Sequence, residues 1–198
     1  MGLEIEYIAG QTPLDEDEKE GILIKTISSR GDLDEFEQYN IENAVQWTLS
    51  SKFNLDKILE EKFIMEVHKR MFGEVWSWAG EFRKSNKNIG VDKFQISIEL
   101  KKLLDDCNFW IDNKTFEPEE ISIRFKHRLV SIHLFPNGNG RHSRLYADIL
   151  ISHGFGQPVF TWGSRNIARA GDARLEYLQA LHVGDNGEID MFIKFARS

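Results

Sequence analysis

Apolar residues recur at helical spacing along most of this chain. Leu33, Phe36, Tyr39/Asn40, Ala44 and Trp47 form one such series, and Asp32 or Asp34 can cap the helix that begins there. Ile58, Leu59, Phe63, Val67 and Met71 predict a second helix, from about Leu55 to Met71, with Gly73 as its stop. A third covers roughly Ser97 to Ile111 through Ile98, Leu100, Leu103 and Leu104. Pro118 suits a first helical turn and Thr115 can cap it. Ile121, Phe125, Leu129 and Ile132 then form a buried stripe, with His133 at the helix end. Another helix starts near Gly140 and carries Leu145, Ile149 and Ser152 on one face. The tail offers a helix around Ala168 to His182, a Gly184-Asp185-Asn186-Gly187 turn, and a short last helix through Phe192 and Phe195.

Two stretches break this pattern. Residues 10 to 31 are polar, with an acidic cluster from Asp15 to Glu20 that reads as a solvated face. They predict an extended arm anchored by Ile22-Leu23-Ile24. From Phe82 to Ile96 the chain is polar and weakly alternating, with Asn88 and Gly90 as turn-formers, which predicts a short β-hairpin above Trp76 and Trp78. The expected fold is therefore mainly α, with one hairpin before the central helices. An arm at 1–31 precedes a domain at 32–198.

Composition narrows the classes. The chain has 198 residues and 41% apolar residues, which suits one compact domain with a core. A formal charge of -7 argues against a nucleic-acid binder, whose phosphate contacts need a basic face. The single Cys107 permits no internal disulfide, and the six histidines form no H-E-x-x-H set. His127 and His142 read as surface or supporting residues, and His142 as a candidate nucleotide contact. No basic-then-apolar leader opens the chain, Glu6 spoils a myristoylation signal at Gly2, and no apolar run reaches spanning length. A cytoplasmic protein without membrane or nucleic-acid partners is expected.

The chemistry concentrates in His133-Leu134-Phe135-Pro136-Asn137-Gly138-Asn139-Gly140-Arg141-His142-Ser143-Arg144. Glycines allow successive N–H groups to line one concavity, and the following helix adds its unpaired first-turn N–H groups and dipole. Arg141 and Arg144 lie three apart on that helix, and their planar forks match phosphate oxygens. His133 precedes the cradle, and an imidazole can take a proton from an attacking hydroxyl. A nest, two arginines and a base suit transfer of a phosphate-linked group from a nucleotide. Such transfer calls for Mg²⁺, for which the Asn137 amide oxygen is the best-placed protein ligand.

This run resembles the signature of the Fic (Fic/Doc) family, H-x-F-x-[D/E]-G-N-G-R-x-x-R, with Asn137 in place of the acid. His68, Phe72-Gly73 and Trp78-Ala79-Gly80-Glu81-Phe82-Arg83 are also similar to the family's approach to its flap. Glu176 to Leu181 and Gly184-Asp185 resemble its closing helices. Gln11 to Glu16 and Arg30 to Leu33 look like the branch called mobile mystery protein B. The resemblance implies a Fic-type helical bundle and transfer of AMP from ATP to a Ser, Thr or Tyr hydroxyl of a target protein. His133 would be the base, and Gly138, Asn139, Gly140, Arg141 and Arg144 would hold the nucleotide. Asn137 would stand at the Mg²⁺ position, Phe135 would anchor the loop, and Asn88, Ile89, Gly90 and Val91 would dock the target by β-augmentation. Related Fic chemistry (phosphoryl transfer, another donor, AMP removal) and a weakly catalytic binding module are the alternatives, the latter suggested by Asn137. The family's inhibitory [S/T]-x-x-x-E-[G/N] pattern is met only in part, at Glu42-Asn43, where Gln38 takes the Ser/Thr place. An exposed Glu42 and an antitoxin-like partner, or no inhibitor, are expected.

Overall fold

A computed structural model describes residues 13–163 and 189–198. The expected helix at 168–182, the turn at 184–187 and the family-like Glu176 to Leu181 segment lie outside the described residues.

Eight α-helices are described: α1 (Glu16–Lys19), α2 (Arg30–Ser50), α3 (Leu55–Ile58), α4 (Glu61–Phe72), α5 (Ile96–Asp112), α6 (Pro118–Ile132), α7 (Asn139–Ile149) and α8 (Ile189–Arg197). A five-residue π-turn, Leu150–Gly154, continues α7. α6 lies at the centre against α5, α7 and α8, while α2 packs across α4. Phe63, Phe72, Phe125, Phe135 and Tyr146 fill the main core, and a second cluster joins Ile123, Ala147 and Ile151 to Phe192 and Phe195 of α8. Among the described residues, no helix is long and apolar enough to cross a membrane.

The helix starts differ instructively from expectation. Ser29, not an aspartate, caps α2: its hydroxyl accepts the Asp32 N–H at 3.1 Å, while the Asp32 carboxylate accepts the Ser29 N–H at 2.9 Å. Glu117 precedes Pro118 at the start of α6, so Thr115 is not the cap. The helix expected over 55–71 is broken after Ile58. A continuous helix would pair the Ile58 carbonyl with its own backbone, but here it receives the Tyr146 hydroxyl, and α4 restarts on the Glu60 carbonyl.

The N-terminal segment is bound to the body. Ile22 bridges to Trp76, and the Leu23 and Ser77 N–H groups reach the Val75 and Gly21 carbonyls. Trp76 and Trp78 stack on each other at 4.9 Å, and the Trp78 indole N–H donates to the Glu18 carbonyl. These tryptophans therefore lie beneath residues 18–22 rather than beneath a hairpin. The acidic cluster is not merely solvated either: Asp15 and Glu18 hold the Lys87 ammonium at 3.0 and 2.5 Å, and the Lys87 side chain is only 3% exposed.

The predicted hairpin does not form. Residues 82–92 are bends and irregular chain, followed by a 3-10 turn at Lys93–Gln95. Arg83 supplies the reason. Its backbone N–H donates to Leu134 and the Val91 N–H to Ile132, while its guanidinium takes the Ser85 and Val91 carbonyls. Groups that a hairpin would pair across its two arms are satisfied by one side chain and by residues 132–134. The weak polar alternation thus encodes a loop wrapped around an arginine.

Candidate functional site

The end of α6 sets His133. His133 is its C-cap, in a left-handed conformation with φ 59° and ψ 65°, and is 5% exposed. The Arg83 Nε–H donates to the His133 carbonyl at 2.7 Å. Gly90, at φ +93°, crosses so closely that a Cβ there would sit 2.5 Å from the His133 Cβ. Burial pushes the imidazole down to about 4, the positive charges of Arg83 and Lys87 assist, and the Val130 backbone opposes them. His133 is thus neutral at ordinary pH, the form a proton acceptor needs.

Five residues later, at Gly138, the chain turns into α7. Asn139 braces the turn by a two-way bond with Phe135: the Phe135 N–H donates to Oδ1 at 3.0 Å and Nδ2 donates to the Phe135 carbonyl at 2.8 Å. Its side chain therefore shapes the loop, and only its backbone faces the helix start. Gly138 precedes α7 at φ +79°, and a Cβ there would meet the Phe72 ring at 2.6 Å. The first intrahelical bond runs from the His142 N–H to the Gly138 carbonyl, so the N–H groups of Asn139, Gly140 and Arg141 belong to the turn that a helix leaves without internal acceptors. Such a turn is able to take an anion.

The two arginines leave α7 in different company. Arg141 pairs with Glu37 of α2 at 2.6 Å and lies over the Phe72 ring at 4.8 Å. Arg144 acts on the opposite neighbours: its charge lowers the buried Lys126 ammonium, second to burial, and draws down the Asp148 carboxyl, which burial raises to about 6. His142, considered as a nucleotide contact, instead points inward, with Nε2 3.1 Å from the Ile64 carbonyl and its pKa pushed to about 3 by burial.

Asn137 is half-buried, and its Oδ1 accepts the Gly138 N–H at 2.6 Å. Among the described residues no cluster of three His, Cys, Asp or Glu side chains could hold a metal. To a cation Asn137 could offer one neutral amide oxygen, which already accepts a hydrogen bond.

Residues missed by sequence reasoning include Glu37. It falls on the buried face of α2 with Leu33, Asn40 and Ala44, an acid at an apolar register. Glu42, by contrast, is exposed and accepts from the Gln38 amide.

Residues 58–151 match the sequence model of the Fic/DOC family, a span that holds His68, Arg83, His133 and the whole cradle. The chain carries a Fic/DOC domain. Relatives of this chain include the protein adenylyltransferase Fic of Aedes aegypti, 28% identical over 159 residues, which are 78% of this chain and 30% of that protein. The protein adenylyltransferase Fic of Nematostella vectensis is 25% identical over 82% of this chain and 37% of its own length. The chain thus spans about a third of the length of these curated relatives. Among solved structures, Fic-1 from C. elegans superposes with a TM-score of 0.66 at 22% identity, over 90% of this chain and 51% of that one. BepC from Bartonella tribocorum, with bound AMPPNP, gives 0.65 at 17% identity, over 92% of this chain and 97% of that one. These structures share the Fic fold with the helical bundle described above.

Proposed function

We propose that this chain is a protein adenylyltransferase that moves AMP from ATP to a Ser, Thr or Tyr hydroxyl of a target protein. The observation that carries this reading is the succession of a neutral, left-handed His133 and an open helix start at Gly138 to Arg141 within a Fic/DOC domain. The names of the relatives support it. In this reading the target oxygen attacks the α-phosphorus while His133 takes its proton, and the bond to the β-phosphate breaks to release pyrophosphate. The backbone of Gly138, Asn139 and Gly140, with Arg141 and Arg144, holds the phosphates. Asn137 would offer its amide oxygen to a Mg²⁺ bound with the nucleotide, and the ion would offset phosphate charge there.

In the same reading, residues 32–198 form the catalytic domain and 1–31 its arm, in a chain like the mobile mystery protein B branch. The loop at Asn88, Ile89, Gly90 and Val91 presents the target. Inhibition comes from an antitoxin-like partner or is absent, since the exposed Glu42 pairs with Gln38. Labelled ATP tests the proposal: label should transfer to protein from the α position and not from γ, and His133→Ala should abolish it. Transfer from γ alone would indicate a kinase-like reaction. No transfer from either position would favour the weakly catalytic binding module, which the neutral Asn137 also suits.

A further inference from the structure

We propose that His68 is a positioning residue for the phosphate cradle, acting through the peptide between Asn137 and Gly138; the proposal rests on the adenylyl-transfer reading above. His68 lies on α4, fully buried and 69 residues from the loop it touches. Its ring meets two groups with opposite demands. The Gly80 N–H donates to Nδ1 at 3.0 Å, so Nδ1 carries the lone pair. The Asn137 carbonyl lies 3.1 Å from Nε2, so Nε2 carries the proton and donates. Only one neutral tautomer satisfies both.

The ring cannot turn away from this arrangement. Phe135 stacks on it with centroids 3.6 Å apart, and Phe72 lies at 4.8 Å. Burial, followed by the neighbouring His142, holds its pKa well below the usual histidine range, so the ring stays neutral through ordinary pH while its two hydrogen bonds fix the tautomer. One imidazole therefore joins the Trp78-Ala79-Gly80 turn to the glycine-rich run, two motifs that are far apart in sequence.

The consequence falls on a donor. Among the described residues no peptide bond is cis, and in a trans peptide the carbonyl and the following N–H point in opposite directions. With the Asn137 carbonyl drawn inward to His68, the Gly138 N–H must point outward from α4. It does so, and meets the Asn137 Oδ1 at 2.6 Å. That amide oxygen occupies the place a phosphate oxygen would take on the same N–H. Without the His68 donor the carbonyl loses its buried partner, and this peptide can rotate, withdrawing the donor from the cradle.

Two variants separate positioning from packing. His68→Phe keeps the ring and its stacking but has no donor; His68→Gln keeps an N–H for the Asn137 carbonyl. ATP binding is measured by calorimetry on the whole chain, with thermal unfolding of each variant alongside. His68→Phe should weaken ATP about tenfold or more, while His68→Gln stays within about threefold of the parent. A phenylalanine variant that binds ATP like the parent overturns the role of His68 alone. So does an equal loss in both variants that follows their thermal stability. A parent chain that fails to bind ATP takes the adenylyl-transfer reading down as well, so the two failures are distinguishable. Should His68→Phe not fold, long-range proton–nitrogen NMR on the parent decides: an unprotonated Nδ1 between pH 5 and 8 supports the role, and a protonated one overturns it.

Discussion

Glu37 and Arg141, 104 residues apart, form a 2.6 Å ion pair that ties α2 to the first turn of α7. The other carboxylate oxygen accepts the Trp76 indole N–H at 2.6 Å, so one buried side chain joins three elements. Glu37→Ala strands the indole and releases the guanidinium. Because Arg141 keeps a third of its side chain in solvent, the cost should be about 2 kcal/mol rather than that of a fully buried pair. Glu37→Gln retains an acceptor for Trp76 and should cost less. Urea unfolding of both variants checks the order, and equal stability of Glu37→Ala and the parent would contradict it.

Acid should destabilise this protein before it reaches the carboxylate range. His133 and His142 are pushed down to about 4 and about 3, and His68 is lowered well below 6.5. Below pH 6.5 the unfolded chain takes up protons at these imidazoles while the folded chain does not. Each group then removes roughly 1.4 kcal/mol per pH unit, until the pH falls through its folded pKa. Denaturant midpoints should therefore drop from pH 7 to pH 5, and a flat profile would refute this account. The labelling rate, in contrast, should not show a His133 titration until near pH 4.

Asn137→Asp should raise the labelling rate at limiting Mg²⁺. A carboxylate can still accept the Gly138 N–H and adds the charge a hard cation prefers. The expected gain is about tenfold in the Mg²⁺ concentration needed for half-maximal rate, read from a magnesium titration. An unchanged requirement would remove Asn137 from the proposed metal site.

Gly90→Ala should both destabilise the loop and disturb the base. The new Cβ would meet the His133 Cβ at 2.5 Å in a backbone conformation with φ +93°. A loss on the order of 1–3 kcal/mol is expected, together with faster modification of His133 by an imidazole-directed reagent. Parent-like melting and reactivity would show that the loop moves aside freely.

The helices were legible because their apolar stripes repeat: α5 and α6 fall within a residue or two of their predicted spans. The turn into α7 was legible because Gly138 takes the left-handed backbone that glycine permits. What escaped the sequence was side-chain service to distant backbone. Arg83 replaces a hairpin ladder, Tyr146 splits a helix at Ile58, and Asn139 turns its amide to Phe135 instead of outward. Glu37 was hidden for the same reason, since its partner lies on a helix met a hundred residues later. Spacing reports periodicity within an element, whereas these bonds depend on which elements the fold brings together.

Arg83 holds the 83–91 loop from inside, through carbonyls that every residue type possesses. Its contour is therefore largely indifferent to the identity of the outward-facing Asn88 and Ile89. Those positions could diverge between close relatives while the path of the chain over His133 stayed fixed. A surface of this kind can change what it meets without rebuilding what lies beneath it.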